Sequence, residues 1–140
     1  ASLRWQGPES YYDFSDRNAM AIVIIEQAQA IEKIEEIAAT PGLDVMFIGT
    51  NDLSFSYGKR GDTSPAVVQD AIKKVVAAGK KYGVPVGRPA ATPEQIKQYL
   101  DEGFLFFQGP SDLVMMTGGA RPLVQTLGKT GFDPKKQPLY

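Results

Sequence analysis

Two acidic residues directly follow short apolar runs and are the strongest candidates for chemistry in this sequence. Glu26 ends the run Ile22–Ile25, and Asp52 follows the run Val45–Ile48 after a glycine, Gly49. Runs this short that are rich in β-branched and aromatic residues favour strands buried on both faces. We therefore expect both carboxylates to lie where a strand ends and a loop begins.

Carboxylates at the ends of neighbouring parallel strands can converge on one hard divalent cation. Mg²⁺ typically takes one or two protein carboxylates and fills its remaining positions with water and substrate oxygens. The residues alone leave other interpretations open. Glu26 can reach solvent or cap the next helix, and Asp52 can bond to its own backbone in the turn-forming sequence "TND".

The elements that position these acids alternate along the chain. Apolar runs at 22–25, 45–48, 84–86 and 104–107 are each followed by a stretch with helical spacing of apolar residues. The second such stretch begins after Ser64 and Pro65, the third begins at Thr92, and a less sharply defined fourth begins at Asp112 or Ala120. This β-α alternation predicts an α/β fold with parallel strands, as an open sheet or as part of a barrel.

Composition excludes several classes of function. The 15 Lys and Arg nearly balance the 16 Asp and Glu, and no basic block is present, which argues against nucleic acid as a partner. The absence of cysteine excludes disulfides and thiolate chemistry and fits a cytoplasmic location. The absence of histidine excludes a Ser-His-Asp triad and a zinc-histidine site within the chain. The apolar runs are far shorter than the ~20 residues that span a bilayer, so we expect a soluble chain without a membrane partner.

The stretch "VIIEQAQAIEKIEEIAATPGLDVMFIGTNDLSFSYG" closely resembles the metal-dependent class II pyruvate aldolases of the HpcH/HpaI family, including the 2-keto-3-deoxy sugar acid aldolases. The family pattern has a strand ending in I-E, followed later by "IAAVPGVDVLFIGPSDLSASLG". The resemblance continues through "VPVGRPAATPEQIKQYLDEGFLFFQGPSDLVMM" and covers roughly residues 1–127.

The resemblance implies a TIM-type (β/α)₈ barrel that acts as a carbon-carbon lyase. In the family a Glu and an Asp, which fall on Glu26 and Asp52, bind Mg²⁺, Mn²⁺ or Co²⁺. The reaction it implies is reversible aldol cleavage of 2-keto-4-hydroxy acids to pyruvate and an aldehyde. The metal also holds pyruvate oxygens and acts as a Lewis acid.

Residues around Asp52 are expected to bind the keto acid. Backbone amides of Thr50, Asn51 and Asp52 would face the pyruvate carboxylate, and Gly49 would allow its close approach. Without the resemblance, Gly49 is equally well explained as a turn glycine. Ser54 either supports the site or simply belongs to the first turn of a short helix.

Arg88 departs from the family pattern, because the family usually has a small apolar pair after "VG" where this sequence has Arg88 and Pro89. We expect Arg88 either to reach an anionic substrate or to pair with a neighbouring acid. Near the N-terminus, Trp5, Tyr11 and Tyr12 are most simply packing residues.

The resemblance covers only strands five to eight of the barrel, without the half that carries the catalytic His and Arg of the family. We therefore expect a fragment, with residues 1–128 forming the C-terminal half of a barrel and 129–140 an extended polar tail. Its open sheet edges predict a homo-oligomer or pairing with the missing N-terminal half. The alternative is a non-catalytic half-barrel that retains metal or pyruvate binding, or serves only in assembly. A doubly wound phosphate-binding module has little support, since no glycine-rich phosphate motif follows any strand.

Overall fold

The computed structural model describes Arg4 and residues 6–126. The chain divides into two compact units, Ala1–Gln108 and Gly109–Tyr140. The strands of the first unit are β1 (Ile22–Ile25), β2 (Val45–Ile48), β3 (Val86–Pro89) and β4 (Phe106–Gln108). Its helices are α1 (Tyr11–Asn18), α2 (Ala28–Glu32), α3 (Ile34–Ala38), α4 (Thr50–Ser56), α5 (Ala66–Tyr82) and α6 (Pro93–Asp101).

The four strands form one parallel sheet in the order β1-β2-β3-β4. Ile25 is in register with Ile48, and Phe47 is in register with Gly87. Each strand is short and is followed by helix before the next strand, which confirms the predicted α/β alternation with parallel strands.

One face of the sheet packs against helices and forms the core. Ile25, Met46, Ile48 and Val86 project from the strands into this core and are at most 2% exposed. The helices contribute buried apolar side chains at helical spacing, namely Ile31, Ile34, Ala38, Leu53, Val68, Ala71, Ile72, Val75 and Ala78. The sequence places these residues on single helix faces, so their burial follows from the 3.6-residue period.

The other face of the sheet carries apolar side chains that are far less buried. Ile22 is 41% exposed and Ile24 is 61% exposed. Further along this face, the rings of Phe47 and Phe106 make an edge-to-face contact with centroids 6.2 Å apart. Gly87 lies between them, and a Cβ atom there would come within 2.8 Å of the Phe106 carbonyl oxygen. The absence of a side chain at Gly87 therefore lets the two aromatic rings meet.

Two predicted strands begin two residues later than the apolar runs suggest. Val84 and Phe104 instead close the preceding helices, donating backbone hydrogen bonds to the carbonyls of Gly79 and Tyr99 at 2.9 Å each. Before Val84, Gly83 adopts a left-handed conformation with φ of 72°, as is common where helices end. The first residue of each apolar run thus completes a helix, and pairing starts only after it.

The helical content also differs from the prediction. The stretch after β1, expected as one helix, forms two short helices, α2 and α3. Between them the Lys33 N–H donates to the Ala30 carbonyl, three residues back, so the chain makes one tighter turn that interrupts the helix. Before β1, where no apolar run or helical spacing predicts a regular element, α1 spans eight residues with Ser10 as its N-cap. In α1, Tyr11 and Tyr12 make an edge-to-face ring contact, but Tyr12 is 71% exposed, so little of it is packed. Trp5 lies outside the described residues.

The second unit contains α7 (Asp112–Thr126). It begins at the earlier of the two predicted starts, with Ser111 Oγ accepting from the Val114 N–H at 3.3 Å. The predicted tail at 129–140 lies outside the described residues. No helix in the described part of the chain is long and apolar enough to cross a membrane.

Candidate active site

Glu26 is placed by β1 and by the glycine that follows β2. The Gly49 N–H donates to the Ile25 carbonyl at 3.1 Å, which extends the strand pairing to the residue beside Glu26. A Cβ atom at position 49 would lie 3.1 Å from the Glu26 Cβ and 3.2 Å from Glu26 Oε2. Gly49 therefore leaves the space that the Glu26 carboxylate occupies, which explains a glycine at the end of an otherwise bulky strand.

Asp52 lies in the first turn of α4, where the sequence had suggested an open turn. The helix starts directly after Gly49, whose carbonyl accepts from the Leu53 N–H at 2.9 Å. Leu53 and Ser54 are fully buried on the other side of this short helix, while Asp52 is exposed. Burial of one side of α4 thus directs its first-turn polar residues away from the core.

Ser54 ties α4 to the loop that follows it. Its Oγ donates to the Asn51 carbonyl at 2.6 Å and accepts from the Gly61 N–H at 2.8 Å. Ser54 belongs to α4 and also fixes the backbone beside Asn51, whereas its support of a binding site stays a prediction. Gly61 has φ of 91°, so the loop reaches this contact through a left-handed residue.

The two acids line the same cavity, which has a volume of about 240 Å³. Five of the predicted site residues line it: Glu26, Gly49, Thr50, Asn51 and Asp52. Because a water molecule takes about 30 Å³ of liquid volume, the cavity has room for an ion together with a small organic acid.

The donor set suits a hard cation. The described residues contain no group of three or more His, Cys, Asp or Glu side chains that could hold a metal ion, and the cavity wall offers two carboxylates. Two carboxylates with open remaining positions match the ligation preferred by Mg²⁺ and Mn²⁺, which keep water or ligand oxygens.

Sequence reasoning missed four residues of the cavity wall, Ile24, Phe47, Pro89 and Gln108. Ile24 and Phe47 stand two residues before Glu26 and Gly49, so the two-residue period of a strand would have placed them on the same face. Gln108 is a polar residue directly after an apolar run, the same signal that drew attention to Glu26.

Arg88 is not among the residues that line this cavity. Its guanidinium lies on the helix-covered side of β3, 3.8 Å from the centroid of the Tyr99 ring, and its Nη1 is 3.9 Å from Glu102 Oε2. Of the two expectations for Arg88, these contacts favour pairing with a neighbouring acid. Direct binding of substrate by Arg88 stays a prediction, and it would require the side chain to leave these contacts.

A larger cavity of about 750 Å³ lies between α5 and the turn that joins α6 to β4. Apolar side chains such as Ile72, Val76 and Leu105 form much of its wall, and none of the predicted site residues reaches it. The acids at 26 and 52 therefore make the smaller cavity the candidate active site.

The chain is an α/β protein with a parallel sheet, and acidic residues follow two of its strands at the carboxyl edge, the edge where α/β enzymes generally carry their functional groups. The sequence profile of the HpcH/HpaI aldolase/citrate lyase family matches residues 7–118, and the chain belongs to this family. The predicted family is thereby confirmed.

Relatives of this chain are named as aldolases. It is 36% identical over 115 residues to a hydroxypyruvate/pyruvate aldolase of Paraburkholderia phytofirmans, covering 82% of this chain and 44% of that protein. It is 35% identical to a 2-dehydro-3,6-dideoxy-6-sulfogluconate aldolase of Pseudomonas putida, covering 88% of this chain and 47% of the relative. The chain thus spans less than half the length of these relatives.

Solved structures are similar over the same extent. A family member from Burkholderia cenocepacia superimposes with a TM-score of 0.74 at 34% identity, over 84% of this chain and 46% of that one. A family aldolase from Desulfitobacterium hafniense gives a TM-score of 0.70 at 26% identity, over 91% of this chain and 51% of the other.

Proposed function

We propose that this chain supplies the metal-binding half of the active site of a divalent-metal-dependent pyruvate aldolase. The reaction is reversible cleavage of a 2-keto-4-hydroxy acid to pyruvate and an aldehyde, in the cytoplasm. The observation that carries the proposal is that Glu26 and Asp52, from the ends of adjacent strands, line one cavity. Family membership and the aldolase names of the relatives support the type of reaction.

In this proposal Glu26 and Asp52 hold Mg²⁺, Mn²⁺ or Co²⁺. A bound divalent cation would polarise the carbonyl of the keto acid as a Lewis acid. Gly49 leaves space for the Glu26 carboxylate, and Thr50 and Asn51 present polar groups and backbone N–H donors that orient the carboxylate of the keto acid.

Part of the cavity wall is apolar. Ile24 and Phe47 line the cavity beside the acids, so the keto acid would lie against side chains that offer no competing hydrogen bonds.

We propose further that the four-stranded sheet of this chain is half of an eight-stranded (β/α)₈ barrel. Two features support it. The apolar side chains of Ile22 and Ile24 are exposed on the sheet face that would become the barrel interior. β1 and β4 are the outer strands of the sheet that the described residues form, so each has an edge available for pairing. The occupant of these edges would be the N-terminal half of a barrel or another copy of the chain.

A non-catalytic metal-binding or assembly module is the second candidate, and one observation favours it. The sequence contains no histidine, so the base that the family resemblance implies must come from outside this chain. If no partner supplies that base, metal and keto acid would bind without turnover.

The test is metal-dependent stabilisation of the purified chain. A ligand that binds only the folded state at 100 times its Kd stabilises it by about 2.7 kcal/mol. We expect Mn²⁺ to raise the melting temperature, and we expect Glu26→Gln or Asp52→Asn to abolish this rise. Glu36→Gln and Asp70→Asn are matched controls, since both remove an exposed helix carboxylate away from the cavity.

Aldol cleavage is then assayed with and without a co-expressed N-terminal half of a relative. Turnover only in the presence of that half supports the aldolase. Metal binding without turnover in either case supports the non-catalytic module. A wild-type chain whose melting temperature does not respond to Mg²⁺, Mn²⁺ or Co²⁺ excludes the aldolase and the metal-binding module, and leaves only the assembly role.

A further inference from the structure

Arg88 makes an unusual set of contacts for a residue beside the candidate active site. Its side chain is only 12% exposed. The guanidinium carbon lies 3.8 Å from the centroid of the Tyr99 ring and 5.1 Å from that of Phe104. Its Nη1 is 3.9 Å from Glu102 Oε2, while its buried Nε finds no acceptor within the described residues. The cation is thus held mainly by aromatic faces and one carboxylate.

These contacts connect β3 to both sides of a single turn. Tyr99 lies in α6, Glu102 follows the last residue of that helix, and Phe104 begins the return towards β4. The Tyr99 and Phe104 rings are 5.9 Å apart, and the Phe104 N–H bonds to the Tyr99 carbonyl. A planar cation can stack on rings and face a carboxylate at the same time, which an apolar side chain cannot do.

The residues that follow Arg88 form part of the cavity wall. Pro89 lines the cavity together with Gln108. The Ala90 N–H donates to the Gln108 carbonyl at 3.0 Å, and the Ala91 N–H donates to Gln95 Oε1 of α6 at 2.8 Å. The segment after Arg88 is therefore held between β4 and α6, the helix that Arg88 contacts.

We propose that Arg88 is a positioning residue for the organic ligand: by anchoring α6 to β3 through Tyr99 and Glu102, it sets the position of Pro89 and Gln108 in the cavity wall. Glu26 and Asp52 are carried by the ends of β1 and β2, away from this anchor, so metal binding does not depend on it. This inference rests on the proposed function for the identity of the ligand.

The first measurement is hydrogen exchange, which needs no ligand. Arg88→Met keeps a long side chain but removes the charge and the planar group, whereas Arg88→Lys keeps the charge. We expect the Ala90 and Ala91 amides to exchange about five-fold faster in Arg88→Met, as expected for loss of a partly buried cation–π contact. The Met46 amide, bonded to Pro85 within the sheet at 3.0 Å, should be unchanged. Tyr99→Leu should reproduce the effect.

The second measurement is binding, first of Mn²⁺ alone and then of pyruvate to the Mn²⁺-loaded chain. We expect Arg88→Met to leave Mn²⁺ affinity within about two-fold and to weaken pyruvate binding about five-fold, with partial recovery in Arg88→Lys. Pyruvate binding equal to wild type, or an equal loss of Mn²⁺ affinity, would overturn the proposal. If the wild-type chain binds no metal, the proposed function fails, and the exchange of Ala90 and Ala91 still decides whether Arg88 anchors the wall.

Discussion

At the scale of single residues, the candidate site depends on the absence of a side chain at Gly49 as much as on its acids. The Glu26 carboxylate occupies the space that a Cβ atom at position 49 would need, since that atom would lie 3.2 Å from Glu26 Oε2. The Glu26 carboxylate can move away from an added methyl group, whereas the Glu26 Cβ, 3.1 Å from that position, would require a small shift of the backbone. The consequence would be a displaced Glu26 carboxylate, the proposed metal ligand, in a chain that still folds.

Gly49→Ala is therefore expected to weaken Mn²⁺ binding about ten-fold. Changes that disturb the orientation of a metal ligand typically lower metal affinity by this amount. The free energy of unfolding should fall by only about 1 kcal/mol. Calorimetric titration and urea unfolding measure the two effects. Gly109→Ala is the matched control, because a Cβ atom there meets nothing within 4 Å. Unchanged Mn²⁺ affinity in Gly49→Ala would show that Glu26 does not depend on this space.

At the scale of elements, α5 lies very close to β3 at Gly79. A Cβ atom at position 79 would lie 2.4 Å from Val86 Cγ2 and 2.6 Å from the Val84 carbonyl oxygen. The strand backbone cannot move aside cheaply, so the helix itself would have to shift. This close approach also places Val84 where it closes the end of α5.

Gly79→Ala should cost about 2 kcal/mol of unfolding free energy through overpacking, even though alanine favours helix by about 1 kcal/mol relative to glycine. Gly118→Ala in α7 should be neutral or stabilising, because nothing lies within 4 Å of a Cβ atom there. Urea unfolding of both variants checks the difference. A stabilised Gly79→Ala would contradict the close packing of α5 on β3.

A second contact between elements joins α3 to the end of α5. Glu35 accepts hydrogen bonds from Lys81 and from the Tyr82 hydroxyl, the latter at 2.9 Å. These bonds, that from Lys81 first, hold the pKa of Glu35 below its ordinary value of 4.5. A lowered carboxyl pKa stabilises the folded state above the unfolded value, and this stabilisation is lost as the pH falls through the folded pKa.

We therefore expect the wild-type chain to lose more stability than Glu35→Gln as the pH is lowered from the ordinary glutamate pKa of 4.5 to below the lowered pKa of Glu35. The effect should shrink in high salt, because the group is exposed. Thermal unfolding across this pH range measures it, with Glu36→Gln as the control. Parallel pH profiles for wild type and Glu35→Gln would rule out a contribution from this contact.

At the scale of the whole molecule, the two faces of the sheet differ in how far they are covered. Helices cover one face, and Ile24 on the other face is 61% exposed. Exposed apolar residues next to free strand edges promote association. The half-barrel proposal therefore predicts that the isolated chain self-associates through this face.

Ile24→Lys should lower the average mass measured by light scattering, because a charge on this face opposes its burial in a complex. Leu100→Lys is the control, since Leu100 is also about half exposed, at 49%, but belongs to α6 on the helix-covered side. A monomeric wild-type chain, or an equal loss of mass in both variants, would contradict association through the open sheet face.

The sequence alone was sufficient for the β-α alternation and for the residues around the two acids. Ile22–Ile25 and Val45–Ile48 are continuous apolar runs, so they were predicted at their observed bounds. Glu26 and Asp52 stood out because each follows such a run. The signal is local in each case, since an uninterrupted apolar run favours a strand. The expected burial on both faces is wrong for β1, where only Ile25 is buried.

Tertiary structure decided the features that depend on which neighbour a residue meets. Val84 and Phe104 close helices instead of starting strands, because the preceding glycines turn the chain into that position. α4 forms from poor helix formers because Leu53 and Ser54 are buried beneath it. Arg88 lies among aromatic rings rather than in the cavity, because strand pleating turns its side chain to the helix-covered face. The sequence specifies a cation at position 88. The partners of Arg88 belong to α6 and to the turn that follows it, and only the packed fold brings these beside β3.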